Sequence, residues 1–350
     1  MSRPVTIKDL ARELDLSVST VGRALAGSAQ ISVETRTRVQ SAAQKRGYVA
    51  HSGARAMRSG RSTLVGLLIP DIRNDFYGTA AKALAECCDA AGFQLVLALT
   101  EEDPDAELRH VRSLTEARAA GVVIVGSVKP HPETLTLLER LPAVQLIRSM
   151  ASLSGAWFGV DDAACLHQAT QHLLRLGHRR IAYFGGTREL STGSLRLSGY
   201  EAAFTAAKLP VSRDLVRVGP PRAAFAAAAF TEVWTAPGRP TAVVTAGARL
   251  ADGVLDAVAA LNIKVPDELS VIGFGDAPWF RWLGSGLTTI ALPVQEIAAA
   301  CGEYLLRRIR EDRRGETRAE RPFRSTHAPH LIERASTAPL AKAPAPVPAV

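Results

Sequence analysis

From Leu64 onward the sequence alternates short apolar segments with amphipathic ones, and this alternation is what most limits the possible folds. The apolar segments are rich in Val, Ile and Leu, as is typical of strands covered on both faces. Strands that alternate with helices form parallel sheets with right-handed crossovers. Because about nine strands are many for one open sheet, we predict an α/β unit of two doubly wound lobes with about four to six strands each. The predicted strands are 64–70, 94–99, 122–125, 144–147, 181–184, 215–218, 242–245, 271–274 and 289–292.

Each lobe is predicted to draw on two stretches of the chain. The first lobe would comprise residues 64–161 and about 293–322, and the second residues 162–292 and about 323–335. Lobes of this kind bind ligands in the cleft between them, at the carboxyl ends of the strands. The Ala- and Pro-rich residues 336–350 show no helical stripe, and we predict a disordered tail there.

Positive charge is concentrated at the N-terminus. Residues 1–62 contain 11 Lys and Arg against 4 Asp and Glu, while the net charge of the whole chain is +8. A basic head on a nearly neutral body indicates a polyanionic partner for the head. The alternative is a basic face that is merely solvated.

Residues 1–50 are predicted to form an all-α domain of three short helices. Thr6, Ser17 and Ser32 are each placed to cap a helix, and Asp9 follows Thr6 at the spacing of a capping box. We place the second helix at 18–26 and the third at 33–46. Three helices within about 40 residues match a helix-turn-helix unit, whose second helix enters the DNA major groove.

The second helix would present Val18, Ser19, Thr20 and Arg23 to DNA. Arg23 suits two hydrogen bonds to guanine, and Val18 suits the methyl group of thymine. Hydroxyl groups near helix N-termini suit phosphates, although each Ser or Thr alone is equally explained as a plain helix cap. The hydroxyl residues predicted to serve phosphates are Thr6, Ser17, Thr20, Ser32 and Thr35.

Motifs in both parts of the chain point to one known family. In the head they are VTIKDLA (5–11), VSTVGRAL (18–25), TRTRV (35–39) and GYV (47–49). In the body they are LGHRRIA (176–182), RPTAV (239–243), VPDELSVIGF (265–274), LTTI (287–290) and LIER (331–334). With these motifs the chain resembles the LacI/GalR family of bacterial transcriptional regulators from residue 5 to about 335. The body is similar to that family's sensor domain, which itself resembles periplasmic sugar-binding proteins.

The resemblance implies that residues 51–63 are a hinge and linker, with a hinge helix at 52–59 that folds only on operator DNA. Met57 falls where an apolar side chain wedges into the minor groove and kinks the central step. Arg55 and Arg58 would lie near phosphates; a flexible linker is the alternative.

Tyr48, from the GYV motif, joins the DNA-binding set. Two departures from the family pattern leave the operator sequence open. Gly22 replaces the usual Ser inside the recognition helix, and Ala50-His51 replaces the usual Pro-Asn before the hinge.

The resemblance further implies an effector cleft. Aromatic rings would lie against the ligand, carboxylates at strand ends would accept hydrogen bonds from sugar hydroxyls, and an arginine would donate to hydroxyls or a carboxylate. A surface salt bridge or a core position is the alternative for each. The implied residues are Phe76, Tyr77 and Trp279, Asp161 and Asp276, and Arg196.

The cleft also departs from the family. Gly275 stands where an acidic residue is common, and Ala246-Gly247-Ala248-Arg249 replaces a common Asn-Asp pair. Fewer acceptors and the added Arg249 favour an anionic or less hydroxylated ligand, such as a sugar acid.

Catalytic signatures are missing from the sequence. It contains no GxxxxGK[ST] phosphate loop, no GxSxG elbow and no HExxH, so we expect no enzyme and no cofactor. The His and Cys spacings do not match metal sites, and the four cysteines are expected to be buried free thiols. The lack of a long apolar run or signal peptide favours a cytoplasmic protein without a membrane partner.

These observations together predict a cytoplasmic homodimer that binds double-stranded operator DNA and regulates transcription, with repression the expected direction. A sugar or sugar acid bound between the lobes would change its operator affinity. The dimer face is expected on the first lobe, including the helix from Thr79. Two alternatives are a ligand-independent DNA-binding protein, and a sugar-binding or α/β protein with an incidental basic head.

Overall fold

The computed structural model describes residues 5–25, 27–48, 62–284, 286–316 and 322–340. The chain divides into two compact units, Met1–Ser62 and Thr63–Val350. These units correspond to the basic head and the α/β body of the sequence. None of the described helices is long and apolar enough to cross a membrane.

The described residues of the head form three helices, close to their predicted positions: α1 (Ile7–Glu13), α2 (Val18–Leu25) and α3 (Val33–Lys45). Each helix buries one apolar stripe and exposes its polar side, so the three stripes form one small core. Leu10, Val21, Ala24 and Val39 are completely buried in this core.

The first lobe of the body is a six-stranded parallel sheet in the order β11-β5-β4-β3-β1-β2. The strands are β1 (Leu64–Ile69), β2 (Gln94–Leu99), β3 (Gly121–Ile124), β4 (Ala143–Leu146), β5 (Ala156–Val160) and β11 (Phe323–His327). The helices are α4 (Asp75–Ala90), α5 (Pro104–Glu116), α6 (Pro132–Leu138) and α11 (Val294–Arg313). Strand β1, LVGLLI, is buried along almost its whole length, as its unbroken apolar sequence predicts.

The second lobe repeats this plan with the strand order β12-β10-β9-β8-β6-β7, in which β12 alone runs antiparallel to its neighbour. The strands are β6 (Ile181–Gly186), β7 (Val216–Gly219), β8 (Ala242–Thr245), β9 (Ser270–Phe274), β10 (Thr288–Ala291) and β12 (His330–Ile332). The helices are α7 (Asp162–Arg175), α8 (Ser191–Ala206), α9 (Ala223–Thr235) and α10 (Ala248–Ala260), with 3-10 turns at Arg213–Leu215 and Pro278–Arg281.

All nine predicted strands are present, but the lobe boundary near the C-terminus differs from the prediction. Residues 323–335 were assigned to the second lobe, whereas β11 pairs in parallel with β5 of the first lobe, from Phe323 opposite Ala156 to His327 opposite Val160. The chain crosses to the second lobe only after His327. Strand β11 is a half-exposed edge strand with the sequence FRSTH, so it lacks the apolar run by which buried strands are recognised.

The prediction of a disordered tail is wrong for residues 336–340. Ser336 is buried, donates from its hydroxyl to the Val271 carbonyl at 2.6 Å and accepts from the Thr288 amide at 2.8 Å. Further on, the Leu340 amide donates to the Leu176 carbonyl at 2.8 Å. Residues 336–340 are therefore held on the second lobe by hydrogen bonds, which the pattern of apolar residues does not predict. Residues 341–350 lie outside the described residues.

The four cysteines are free thiols, as predicted; Cys88, Cys165 and Cys301 are buried and Cys87 is partly buried. Burial raises the pKa of each of them, that of Cys88 to about 11, which keeps the thiols protonated at neutral pH. Among the residues that the structure describes, no group of His, Cys, Asp and Glu is arranged to hold a metal ion.

Close approach of neighbouring helices depends on glycine at two positions. A Cβ atom on Gly199 of α8 would lie 2.1 Å from the Ala163 carbonyl oxygen of α7, and one on Gly253 of α10 would lie 2.0 Å from the Ala223 carbonyl oxygen of α9. Both obstacles are backbone atoms, so the helices themselves would have to separate.

We therefore expect Gly199→Ala to lower the free energy of unfolding by about 1–3 kcal/mol, as overpacking usually does. The control is Gly78→Ala inside α4, where the new Cβ atom would meet nothing nearer than 3.8 Å. That change should be neutral or stabilise by about 0.5–1 kcal/mol, since alanine favours the helix. Urea denaturation of both variants measures the difference, and equal effects would contradict the helix contact.

Candidate functional site

The outer face of α2 carries the residues predicted to read DNA bases. Val18, Ser19 and Arg23 are exposed and Thr20 is partly exposed, whereas Val21 on the opposite face is completely buried. The contacts of Arg23 are long: Nε lies 3.5 Å from the Ser19 carbonyl oxygen, and Nη1 lies 3.4 Å from a Gln30 side-chain oxygen. The guanidinium group therefore loses little if it turns to a base edge.

The hydroxyl residues of the head cap its helices. Thr6 and Asp9 form the predicted capping box, in which the Asp9 carboxylate accepts from the Thr6 amide at 2.9 Å. Ser17 and Ser32 cap α2 and α3 in the predicted way, each accepting from the amide three residues later at 3.0 and 3.2 Å. Thr20 and Thr35 supply those amides, and their hydroxyls hydrogen-bond to the same capping serines. A phosphate contact by these groups would come in addition to capping.

Four residues of the predicted DNA-binding set lie elsewhere than on α2 and the helix caps. Tyr48 is partly buried and packs against the head core, and its amide donates to the Ala43 carbonyl at 2.8 Å. The hinge residues Arg55, Met57 and Arg58 lie outside the described residues.

A cavity of about 450 Å³ lies in the body where the carboxyl ends of strands from both lobes meet. Its volume lies within the usual range of small-molecule sites. The first lobe contributes Asp71, Asp75, Phe76, Tyr77, Glu102, Ile147 and Arg148, and α11 contributes Glu296. The second lobe contributes Leu190, Thr192, Arg196, Arg249, Phe274 and Asp276, among others.

Arg196 is the most firmly held of the predicted residues. Its Nε donates to Asp162 Oδ1 at 2.6 Å, its Nη1 donates to the Ala246 carbonyl at 2.9 Å, and its guanidinium lies 4.1 Å from the centre of the Phe274 ring. The Arg196 side chain is 11% exposed and that of Asp162 only 1%. Burial raises the pKa of Asp162, and the charge of Arg196 opposes that rise. The result is an oriented donor on the cavity wall.

Arg249 and Asp276 also line the cavity, and both have protein partners. Arg249 Nη1 donates to Asp252, and its Nε lies 3.4 Å from an oxygen of Asp71. Asp276 Oδ1 lies 2.8 Å from Nη2 of Arg334. Neither charge therefore faces the cavity uncompensated.

Phe76 and Tyr77 line the cavity, and their ring centroids lie 5.4 Å apart in an edge-to-face arrangement. Asp161 and Trp279 do not belong to its lining. Asp161 instead caps α7, accepting from the Ala164 amide at 2.9 Å, and the next residue turns inward to Arg196. Trp279 stands edge-on against Phe280 at 4.5 Å.

Arg148 and Glu102 were not predicted. Arg148 donates to both carboxylate oxygens of Glu102, at 2.6 and 2.7 Å, and to the Gly126 carbonyl at 3.2 Å. The two side chains are 8% and 17% exposed. Arg148 also borders a second cavity, on the side of Ser149 and Met150, so that it lies in the wall between the two spaces.

The backbone around this ion pair is unusual. Ile147 has φ +58°, and Glu101 and Glu102 have φ +53° and +62°. Residues that carry a Cβ atom rarely adopt such values. The Arg148 amide lies 2.6 Å from the Leu146 carbonyl, which makes Ile147 the centre of a tight turn. A β-branched residue in this conformation carries strain, and strained turns are found at functional sites. No local sequence signal could have revealed this turn.

Comparisons with known proteins agree with both units. The pattern for "Bacterial regulatory proteins, lacI family" matches residues 6–51, and that for "Periplasmic binding protein-like domain" matches residues 170–337. The transcriptional regulator GalR of Salmonella typhimurium is 30% identical over 302 residues, which are 86% of this chain and 88% of GalR.

Solved structures extend the likeness to the fold. A complex of the transcriptional regulator CelR with cellobiose is 26% identical with a TM-score of 0.70, covering 95% of this chain and all of CelR. A lac repressor dimer bound to operator has a TM-score of 0.80 over 96% of this chain and all of the repressor chain, at 21% identity. From its helix-turn-helix head, its two-lobed body and its likeness to GalR, the chain belongs to the lacI family of bacterial regulatory proteins.

Proposed function

We propose that this regulator binds a near-palindromic operator as a homodimer and that a sugar bound between its lobes changes its affinity for that operator. The observation that carries the DNA function is the exposed face of α2, where Val18, Ser19 and Arg23 project from a helix that Val21 anchors in the head core. Such a helix is the element that helix-turn-helix proteins place in the major groove. Repression is the expected direction of control.

The cleft supports a polyhydroxylated effector. Arg196 of the second lobe is held by a buried carboxylate and Phe76 of the first lobe also lines the cavity, so the lining combines an oriented donor with an aromatic side chain. Donors fixed in this way and apolar ring faces suit the hydroxyl groups and the carbon face of a sugar. The cellobiose complex of CelR shows that a relative of similar fold carries a sugar.

A second copy of the chain is the partner that the exposed apolar residues of the body favour. Leu97 and Leu99 are about two-fifths exposed on the edge strand β2, and Trp282 is 78% exposed in the second lobe. Exposed edges and large apolar side chains usually mark protein interfaces. Two heads held by such a dimer would address half-sites about one helical turn apart.

The test is to select, from random DNA fragments, those that the purified protein enriches, and then to measure binding of Arg23→Ala. We expect this variant to lose about 1–3 kcal/mol of binding free energy and to relax the preference at one base pair of each half-site. The matched control is Lys45→Ala, an exposed cation at the end of α3, which should weaken binding to all sequences alike.

One outcome of this test concerns the role of α2 and another concerns the role of the effector. Unchanged affinity and unchanged sequence preference in Arg23→Ala would remove α2 as the reading element. Enrichment of a sequence whose affinity no sugar alters would leave a ligand-independent DNA-binding protein.

A further inference from the structure

Arg249 and Asp71 form an ion pair across the cleft. Arg249 belongs to the second lobe, at the start of α10, and Asp71 follows strand β1 of the first lobe. Arg249 Nε lies 3.4 Å from Asp71 Oδ2, and both side chains line the cavity. Among the ion pairs between described residues, this is the one that joins the two lobes. It therefore bears on the distance between the lobes rather than on the packing within either of them.

Asp71 is held in position by its own lobe. Arg73 Nε donates to Asp71 Oδ1 at 3.0 Å, Arg73 Nη2 donates to Oδ2 at 3.2 Å, and the Arg73 amide donates to Oδ1 at 2.9 Å. Burial raises the pKa of Asp71, but the hydrogen bonds from Arg73 and the charges of Arg73 and Arg249 outweigh burial, so that the pKa is lowered. Asp71 is thus an ionised and oriented partner for Arg249 at neutral pH.

The stability of α10 does not explain an arginine at position 249. Arg249 is the second residue of this helix, and its N-cap, Gly247, offers no side-chain cap. A helix N-terminus favours anions, so a cation in the first turn is in the unfavourable position. Asp252 accepts from Arg249 Nη1 and compensates part of this cost, while Nε remains beside Asp71. The arginine is therefore placed where the helix dipole opposes it and where a carboxylate of the other lobe lies within reach.

Two hydrogen bonds also cross the cleft. Arg222 Nη2 donates to the Glu101 carbonyl at 3.3 Å. The Ser149 amide of the first lobe donates to Ser191 Oγ, at the start of α8, at 2.9 Å. The next amide along the chain, that of Met150, is bonded within the first lobe at 2.6 Å. Separation of the lobes would therefore expose the Ser149 amide to exchange with solvent and leave the Met150 amide protected.

We propose that Arg249 is a positioning residue that holds the two lobes together in the absence of effector, and that it does not bind a charge of the effector. This proposal rests on the proposed effector site, because it concerns the opening of the same cleft. The cavity of about 450 Å³ is present while the ion pair is formed. The pair thus raises the fraction of chains whose cleft is already assembled, which lowers the cost of binding an effector. The sequence-based expectation of an anionic ligand then loses the support of Arg249.

Hydrogen–deuterium exchange of the full chain without ligand, resolved to single amides by mass spectrometry, tests the proposal. Arg249→Gln should speed exchange of the Ser149 amide about 2- to 5-fold, as expected for the loss of a partly exposed ion pair. The Met150 amide should keep its rate. Raising the salt concentration should speed exchange of Ser149 in the parent protein and narrow its difference from the variant, because salt screens the pair.

The matched control is Arg73→Gln, because Arg73 binds the same carboxylate from within the first lobe and should not speed exchange of Ser149. Asp71→Asn should act like Arg249→Gln, and the two changes combined should have no more effect than either alone.

Three outcomes overturn the proposal. They are an unchanged Ser149 rate in Arg249→Gln, an equal acceleration by Arg73→Gln, and an equal acceleration of the Met150 amide, which would indicate general loosening of the first lobe. These rates involve neither effector nor DNA. The operator selection and its response to sugars therefore decide separately whether the proposed function stands.

Discussion

Removal of residues 1–62 is expected to abolish operator binding while the body stays folded. Residues 63–350 contain 31 Lys and Arg against 30 Asp and Glu, so the body lacks the positive charge that attracts DNA. The exposed face of α2 is removed together with 11 cationic residues. Specific complexes are typically at least about 10³-fold tighter than non-specific ones, and we expect at least that loss.

The truncated protein should otherwise behave as an independent unit, because the chain divides between Ser62 and Thr63. Its cooperative thermal transition and its binding of effector should persist, which excludes misfolding as the cause of lost DNA binding. Fluorescence anisotropy with the selected operator measures the loss. If the truncated protein still bound that operator specifically, a surface of the body would be the reader and the role of the head would be refuted.

Sequence patterns predicted this fold where burial alone dictates the residues. Strands such as β1 and β8 are covered on both faces, so their Val, Ile and Leu runs are unmistakable. Strand β5 contains Gly159, β11 is a polar edge strand, and β12 has only three residues, so none of them carries that signal.

In the cleft, too, the sequence predicts some residues and misses others. Phe76, Tyr77, Arg249 and Asp276 follow strand ends or begin helices, Arg196 lies in the second turn of α8, and the doubly wound fold brings such positions together. The ion pair of Arg148 depends instead on a positive φ at the preceding isoleucine, which propensity argues against.

Asp161 and Asp162 show that the sequence does not distinguish the roles of two neighbouring residues of the same type. Both carboxylates stand at the start of α7, and the sequence alone gives no reason for one to cap the helix and the other to turn inward. In the structure Asp161 accepts from the Ala164 amide, whereas Asp162 is buried against Arg196. Adjacent positions at the start of a helix face different directions. Tertiary packing decides which of the two is buried, and the apolar periodicity of the sequence does not show that packing.

This difference between neighbours makes Asp162→Asn the substitution with the largest expected effect on stability. It would leave the guanidinium of Arg196, only 11% exposed, without its carboxylate, and removing one partner of a buried ion pair usually costs about 3–5 kcal/mol. Effector binding should weaken as well, because Arg196 would no longer be held in one orientation over Phe274.

The matched control is Asp161→Asn, one residue earlier. Asparagine caps helices about as well as aspartate, so this variant should lose no more than about 0.5 kcal/mol of the free energy of unfolding. Asp162→Leu combined with Arg196→Met removes both charges and should recover most of the stability while the effector response stays lost. Urea denaturation and effector titration of the three variants test this; if Asp162→Asn were as stable as Asp161→Asn, the buried pair would not be a structural element of the cleft.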